Sequence, residues 1–157
     1  TQPPPDPVAV YPLWRDDIFR FADRDVEEQI GRLTQLKLIE SARVSLIQDV
    51  GAPAADPDVI WMAVHVALNF LAWPDVRGGA RTGTHVDGFG RSSCRVRQTI
   101  YSDGQAIATG GAVVALANRK SKKTVEISSD LRERLENAPD SNVSQSERYN
   151  PAKNFLA

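Results

Sequence analysis

The 157 residues, 41% of them hydrophobic, suffice for one globular domain with a real core and are too few for two of ordinary size. With 19 basic residues against 20 acidic ones and a formal net charge of -1, no global field draws the chain to nucleic acid or to an anionic membrane surface. The single cysteine, Cys94, excludes an internal disulfide, and with only His65 and His85 as further soft ligands no set has zinc spacing, so no metal is expected.

Residues 1–10 hold Pro3, Pro4, Pro5 and Pro7 and are expected to form an extended arm. The run Tyr11 to Ala22 alternates loosely and predicts a first strand. Asp23, Asp25, Glu27 and Glu28, with Asp17 upstream, then lead into a helix, where negative charge suits the positive end of the helix dipole.

Ile30 to Val50 is the stretch around which the chain is expected to be built. Ile30, Leu33, Leu36, Ile39, Ala42, Leu46, Ile47 and Val50 recur at steps of three and four, and Leu38 and Val44 fall outside that stripe. Apolar residues on more than one side predict a helix covered on more than one side. Gly51 stands where a C-cap would, and Pro53 forbids continuation.

Val59 to Leu71 predicts a strand, with His65 inside it as a satisfied core histidine, while His85 has no obvious partner. Ala80 to Val86, Arg91 to Tyr101 and Gln105 to about Arg119 predict three more strands, with Asp87 to Gly90 and Ser102 to Gly104 as turns. Cys94 reads as a small core residue. Thr124 to Ile127 is short and extended, and Ser128 to Glu136 predicts a terminal helix capped by Ser128 or Asp130. Residues 137–157 read as a polar tail unless Tyr149 and Phe155 dock.

One strand, one long helix and then about four antiparallel strands predict an α+β arrangement in which a curved sheet wraps the helix, the hot-dog fold, over residues 11–136. Such a sheet leaves edge strands open, so a homodimer or a dimer of dimers is expected. No run approaches the roughly 18 apolar residues of a membrane span, and no charged-then-apolar leader is visible, which predicts the cytoplasm and no membrane partner. The chain starts at Thr1 without a methionine, so a removed leader or a trimmed start stays open.

Four stretches, residues 11–26, 39–44, 69–93 and 101–135, resemble in unbroken order the acyl-CoA thioester hydrolases of the hot-dog superfamily, of the 4-hydroxybenzoyl-CoA thioesterase type. The resemblance implies hydrolysis of an acyl-CoA to free acid and CoA, with no cofactor. In that family a D-x-D pair closes the first strand and a Gly-His-Val-Asn-Asn segment opens the helix. Asp23-Arg24-Asp25 stands at the pair, and Asp25 takes the place of the nucleophile or general base. Glu28, Gln29, Ile30, Gly31 and Arg32 stand where the family has glycine, histidine, valine and two asparagines.

Thioester hydrolysis needs a carboxylate, donors for the oxyanion and a slot for the acyl group. Asp25 is the candidate carboxylate. The amides at Gln29, Ile30 and Gly31, left without partners by helix geometry, and the Gln29 side chain are the candidate polarising groups. Arg91, Ser92 and Ser93 are similar to the family's segment near the nucleotide end of coenzyme A, and Arg77, Arg81 and the Lys120 to Lys123 turn add cations for its phosphates. Asp23 would point to the other face, and Glu27 and Glu28 read as solvated. Trp61 and Trp73 read as core or as pocket lining.

A second reading is a hot-dog protein that binds an acyl thioester or another small ligand, or serves as an assembly subunit, without turnover; the EEQIGR segment favours it. A hydratase-like activity is a weaker third reading, since the aspartate–histidine pairing it needs is not visible.

Overall fold

The first strand is shorter than its pattern predicts. In the computed structural model, which describes residues 11–138, β1 covers Leu13–Ile18. Its partner strand supplies the reason, because Ile18 faces Gly79, where that strand begins, and no further backbone is there to pair. Phe21–Asp23 instead make one 3-10 turn. Helix α1 follows at Arg32–Val50, then β2 (Val59–Phe70), β3 (Gly79–Phe89), β4 (Ser93–Ser102), β5 (Gln105–Asn118) and α2 (Ser129–Glu136).

The five strands form one antiparallel sheet in the order β1-β3-β4-β5-β2. Helix α1 lies across it and touches β1, β2, β3 and β4. A long helix held by a single antiparallel sheet, with a short C-terminal helix, is the hot-dog fold. Among the described residues no helix is long and apolar enough to cross a membrane. The N-terminal arm and Tyr149 and Phe155 of the tail lie outside the described residues.

The core divides along α1. At the C-terminal half of the helix Leu46 and Val50 pack with Cys94, Val114, Leu116, Ile127 and Leu131. Toward its other end Ile39 packs with Ala80, Ile100, Ile107 and Ala108. Each of the buried Val, Leu and Ile side chains contributes on the order of 1.5–3 kcal/mol, and the alanines less. Between the two groups Gln98, 1% exposed, donates from Nε2 to the Ile39 carbonyl at 2.9 Å and to Thr84 Oγ1 at 3.1 Å. Cys94 is buried in the first group, and burial pushes its thiol up to about 12.

The helix does not bury the whole predicted stripe. Its covered face is Thr34, Gln35, Ile39, Ala42, Arg43, Leu46 and Val50, whereas Leu33 is 65% exposed, and Leu36 and Val44 are exposed too. Ile30 is fully buried but precedes the helix, which starts at the N-cap Gly31. Burial lowers the affinity of the Arg43 guanidinium for its proton, and the charge of Glu40 opposes the shift with a smaller effect.

Strand β3 runs through Asp87, Gly88 and Phe89, which the sequence pattern assigns to a turn, because Asp87 forms a bulge and Gly88 and Phe89 stay paired with Arg95 and Cys94. Tyr11 lies across Gly83, where a Cβ would collide with its ring, and its hydroxyl meets Thr99 Oγ1. The same ring packs 5.4 Å from His85, so that histidine has a partner.

His65 is exposed and not a core histidine. The reason is topological: β2 pairs only with β5, so it is an edge, and Met62, Val64 and Val66 are exposed along it. At the other end of the chain Ser128, not Asp130, caps α2, accepting from Leu131 N at 3.1 Å.

Candidate active site

The segment between β1 and α1 is a closed loop. Arg24 and Ile30 form an antiparallel bridge, Asp25 N donates to the Gln29 carbonyl at 2.8 Å, and Glu28 N donates to the Asp25 carbonyl at 3.0 Å. Thr34 Oγ1, on the first turn of α1, donates to the Asp23 carbonyl at 2.9 Å and ties the loop to the helix. Glu28, where the resemblance has glycine, adopts φ 62°. The turn that a glycine would make easily is therefore present with a glutamate in it.

Asp25 sits at the centre of this loop. Its Oδ1 accepts from Glu27 N at 2.9 Å and from Gln29 N at 3.0 Å, which fixes the plane of the carboxylate. Its Oδ2 lies 3.0 Å from where a Cβ on Gly31 would stand. Gly31 is buried at the N-cap with φ -74°, so it is required here for room and not for an unusual backbone angle. Asp25 and Gln29 are both exposed.

The amide of Gln29 is thus not unpartnered, as helix geometry alone predicts, because the loop turns it back onto Asp25. Of the polarising groups expected at Gln29, this leaves the side-chain carboxamide. Asp23 takes a different job: its Oδ2 accepts from Arg20 N at 2.7 Å and closes the 3-10 turn.

Beside the loop stands an aromatic wall of Phe70 and Trp73, residues whose type reads as core or pocket lining but whose partner, Arg32, does not follow from the sequence. The Arg32 guanidinium lies 5.3 Å from the Phe70 ring centroid and 5.8 Å from that of Trp73. Arg24 similarly covers Phe21 at 5.0 Å. No short-range pattern links residue 32 to residues 70 and 73, because the contact needs the end of β2 to arrive at the start of α1.

The expected nucleotide-end residues lie elsewhere in the chain. Arg91, Ser92 and Ser93 form the β3–β4 turn, where Arg91 pairs with Glu126 at 3.3 Å, the Arg91 carbonyl accepts from Ile127 N, and the Ser92 carbonyl accepts from Leu116 N. Those contacts belong to the core group at the C-terminal half of α1, the opposite end from Asp25. A helix of 19 residues spans roughly 28 Å at 1.5 Å per residue. One chain therefore does not bring Arg91 to Asp25. Arg77 lies in the β2–β3 connection, exposed, with its amide donating to Asp75 Oδ1 at 2.9 Å. Arg81 pairs with Asp16 at 3.4 Å and stacks 4.6 Å above Trp14, and Lys120 pairs with Asp58, so both already hold structural partners.

A groove of about 520 Å³ runs between β1 and α1, lined by Arg15, Lys37, Leu38, Ser41 and Val44 and reaching Asp23 and Thr34. Asp25 is not among the residues that line it, and is exposed. Among the described residues no three His, Cys, Asp or Glu side chains are grouped so as to hold a metal ion.

No protein-family model and no curated protein matches the sequence. Solved structures do match. A protein from Pseudomonas aeruginosa is 22% identical with a TM-score of 0.71, over 83% of this chain and 94% of that one. A thioesterase from Thermus thermophilus, solved with coenzyme A and Zn, is 20% identical with a TM-score of 0.69, over 80% and 92%. The DHNA-CoA thioesterase of Staphylococcus aureus is 17% identical with a TM-score of 0.69, over 87% and 93%. At these identities the likeness is one of fold.

Proposed function

We propose that this chain is an acyl-CoA thioesterase of the 4-hydroxybenzoyl-CoA thioesterase type that works as a homodimer or a dimer of dimers in the cytoplasm. The observation that carries the reading is the carboxylate of Asp25, held by two amides of the loop that leads into α1, in a fold shared with thioesterases. In the reaction Asp25 takes a proton from water as the water oxygen adds to the thioester carbonyl. The C–S bond then breaks, and the proton passes to the departing sulfur, leaving acid and CoA thiol. The carboxamide of Gln29 and the amides of Ile30 and Gly31 are the proposed donors to the oxyanion, commonly worth roughly 3–4 kcal/mol each.

The open β2 edge supports the dimer reading. Strand β2 runs from the core group around Leu46 to the one around Ile39, since Val59 packs in the first and Leu68 against the second. Antiparallel pairing of two β2 edges would set the Phe70 end of one copy beside the Val59 end of the other. The Arg91–Ser93 turn of the second copy would then lie on the side of Asp25 in the first, and Arg77 of the first copy would complete the cation set.

The test is release of free thiol from a panel of short, long and aromatic acyl-CoAs. Asp25→Asn should abolish it with the melting point nearly unchanged, and equal activity in the variant removes Asp25 from the mechanism.

A second reading, binding without turnover, is favoured by one observation: Oδ1 of Asp25 and the amide of Gln29 already satisfy each other. Tight binding of a non-hydrolysable acyl-CoA analogue with no thiol release decides for it.

A further inference from the structure

Arg32 is the first residue of α1, and its neighbour Gly31 carries the Asp25 carboxylate above it. Four acids stand between residues 23 and 28, yet among the described residues no carboxylate lies within ion-pair distance of Arg32. Its guanidinium rests on Phe70 and Trp73 instead. Stacking uses the faces of a guanidinium, whereas its N–H donors lie in the plane and point outward from the edge. An arginine that sits over two rings with no acid beside it keeps its N–H donors open to a carboxylate, which it can meet with two parallel hydrogen bonds.

The surroundings agree with such a ligand. Trp73 is 53% exposed and Leu33 is exposed, so the wall is open to an apolar chain lying along it. The acids of the loop repel an anion from the loop's own surface and surround Arg24, whereas Arg32 stands one turn away on the helix beside the rings. The holding contacts also reduce the side-chain freedom that binding would otherwise remove.

Resting on the thioesterase reading above, we propose that the acyl group of the substrate ends in a carboxylate, which Arg32 receives edge-on while the acyl chain lies against Phe70 and Trp73 and the thioester carbonyl meets Asp25. Arg32 is then the residue that sets acyl specificity.

The experiment compares kcat/KM for glutaryl-CoA and butyryl-CoA in the full chain and in Arg32→Gln and Arg32→Lys. In parallel, free glutarate is titrated against tryptophan fluorescence, with Trp73→Phe identifying the reporter. The full chain should prefer glutaryl-CoA, Arg32→Gln should lower the glutaryl-to-butyryl ratio about tenfold or more, and Arg32→Lys should keep part of it. Hydrolysis of both substrates with a ratio that Arg32→Gln does not move overturns the inference and leaves the thioesterase reading standing. Hydrolysis of neither leaves the thioesterase reading to the wider acyl-CoA panel above, and the fluorescence then decides on the carboxylate site: saturable quenching by glutarate that needs Arg32 upholds it, and its absence overturns it.

Discussion

Asp25 and Gly31 are matched in shape: the carboxylate Oδ2 of the first occupies space 3.0 Å from where any side chain on the second would begin. Gly31→Ala must displace that oxygen by a few tenths of an ångström, while its backbone angles suit alanine. We expect thiol release to fall about tenfold or more, since a small misplacement of a reacting group is costly. Stability should change by no more than about 1 kcal/mol. Steady-state kinetics beside a thermal melt check both, and unchanged kinetics would mean that the carboxylate has no fixed place in the reaction.

Glu28 holds a left-handed backbone at φ 62°, a conformation that costs a non-glycine residue about 1–2 kcal/mol. Glu28→Gly removes that strain and adds some freedom to the unfolded chain, so the net gain should be about 0.5 kcal/mol. For a chain of this size that is a rise in Tm of roughly 1–2 °C. A fall in Tm would show that the glutamate side chain contributes more than its backbone costs.

The β2 edge carries Val64, the extra residue at a register shift between Ala63 and His65, 60% exposed. A lysine on an edge strand opposes pairing with another edge. We expect Val64→Lys to lower the apparent mass in size-exclusion chromatography with light scattering, and thiol release to fall with it. A variant that stays associated and active would place the contact between copies elsewhere.

Asp58 shows how charge sets a pH limit. Hydrogen bonds from Lys120 and then Arg119 hold its carboxyl below the usual carboxylate range, against a smaller opposing effect of burial. A folded-state value below the unfolded one means stability that is present at neutral pH and is lost as the pH falls through the lowered value. Asp58→Asn should therefore lose stability near neutrality and show a shallower acid limb in denaturation measured from pH 7 to pH 2. Parallel curves for the two proteins would refute the linkage.

Much of the fold was legible in the residues, because helix period, strand alternation and turn chemistry each act over a few positions. Gly51 does end α1 with its amide on the Ile47 and Gln48 carbonyls, and Ser102–Gly104 does turn β4 into β5. What stayed hidden depends on distant partners. Leu33 and Leu36 satisfy the apolar period yet face outward, while Gln35 and Arg43 lie inward, since the sheet and not the period decides which side is covered. His65 reads as a core residue because nothing within β2 states that it is an edge. At the candidate site the position of Asp25 was legible from D-R-D, but its bonds to Glu27 and Gln29 and the pairing of Arg32 with Phe70 and Trp73 were not, as they require the loop to close and β2 to return.

The amide of Gln98 grips the Ile39 carbonyl midway along α1, with separate greasy layers on either side. A single polar pin through an otherwise slippery joint acts as a detent, since any slide or rotation of the helix would strip a buried amide of its partner. Repacking in one layer can thus be absorbed where it occurs, and the tip that carries Gly31 keeps its address while the rest of the interior drifts.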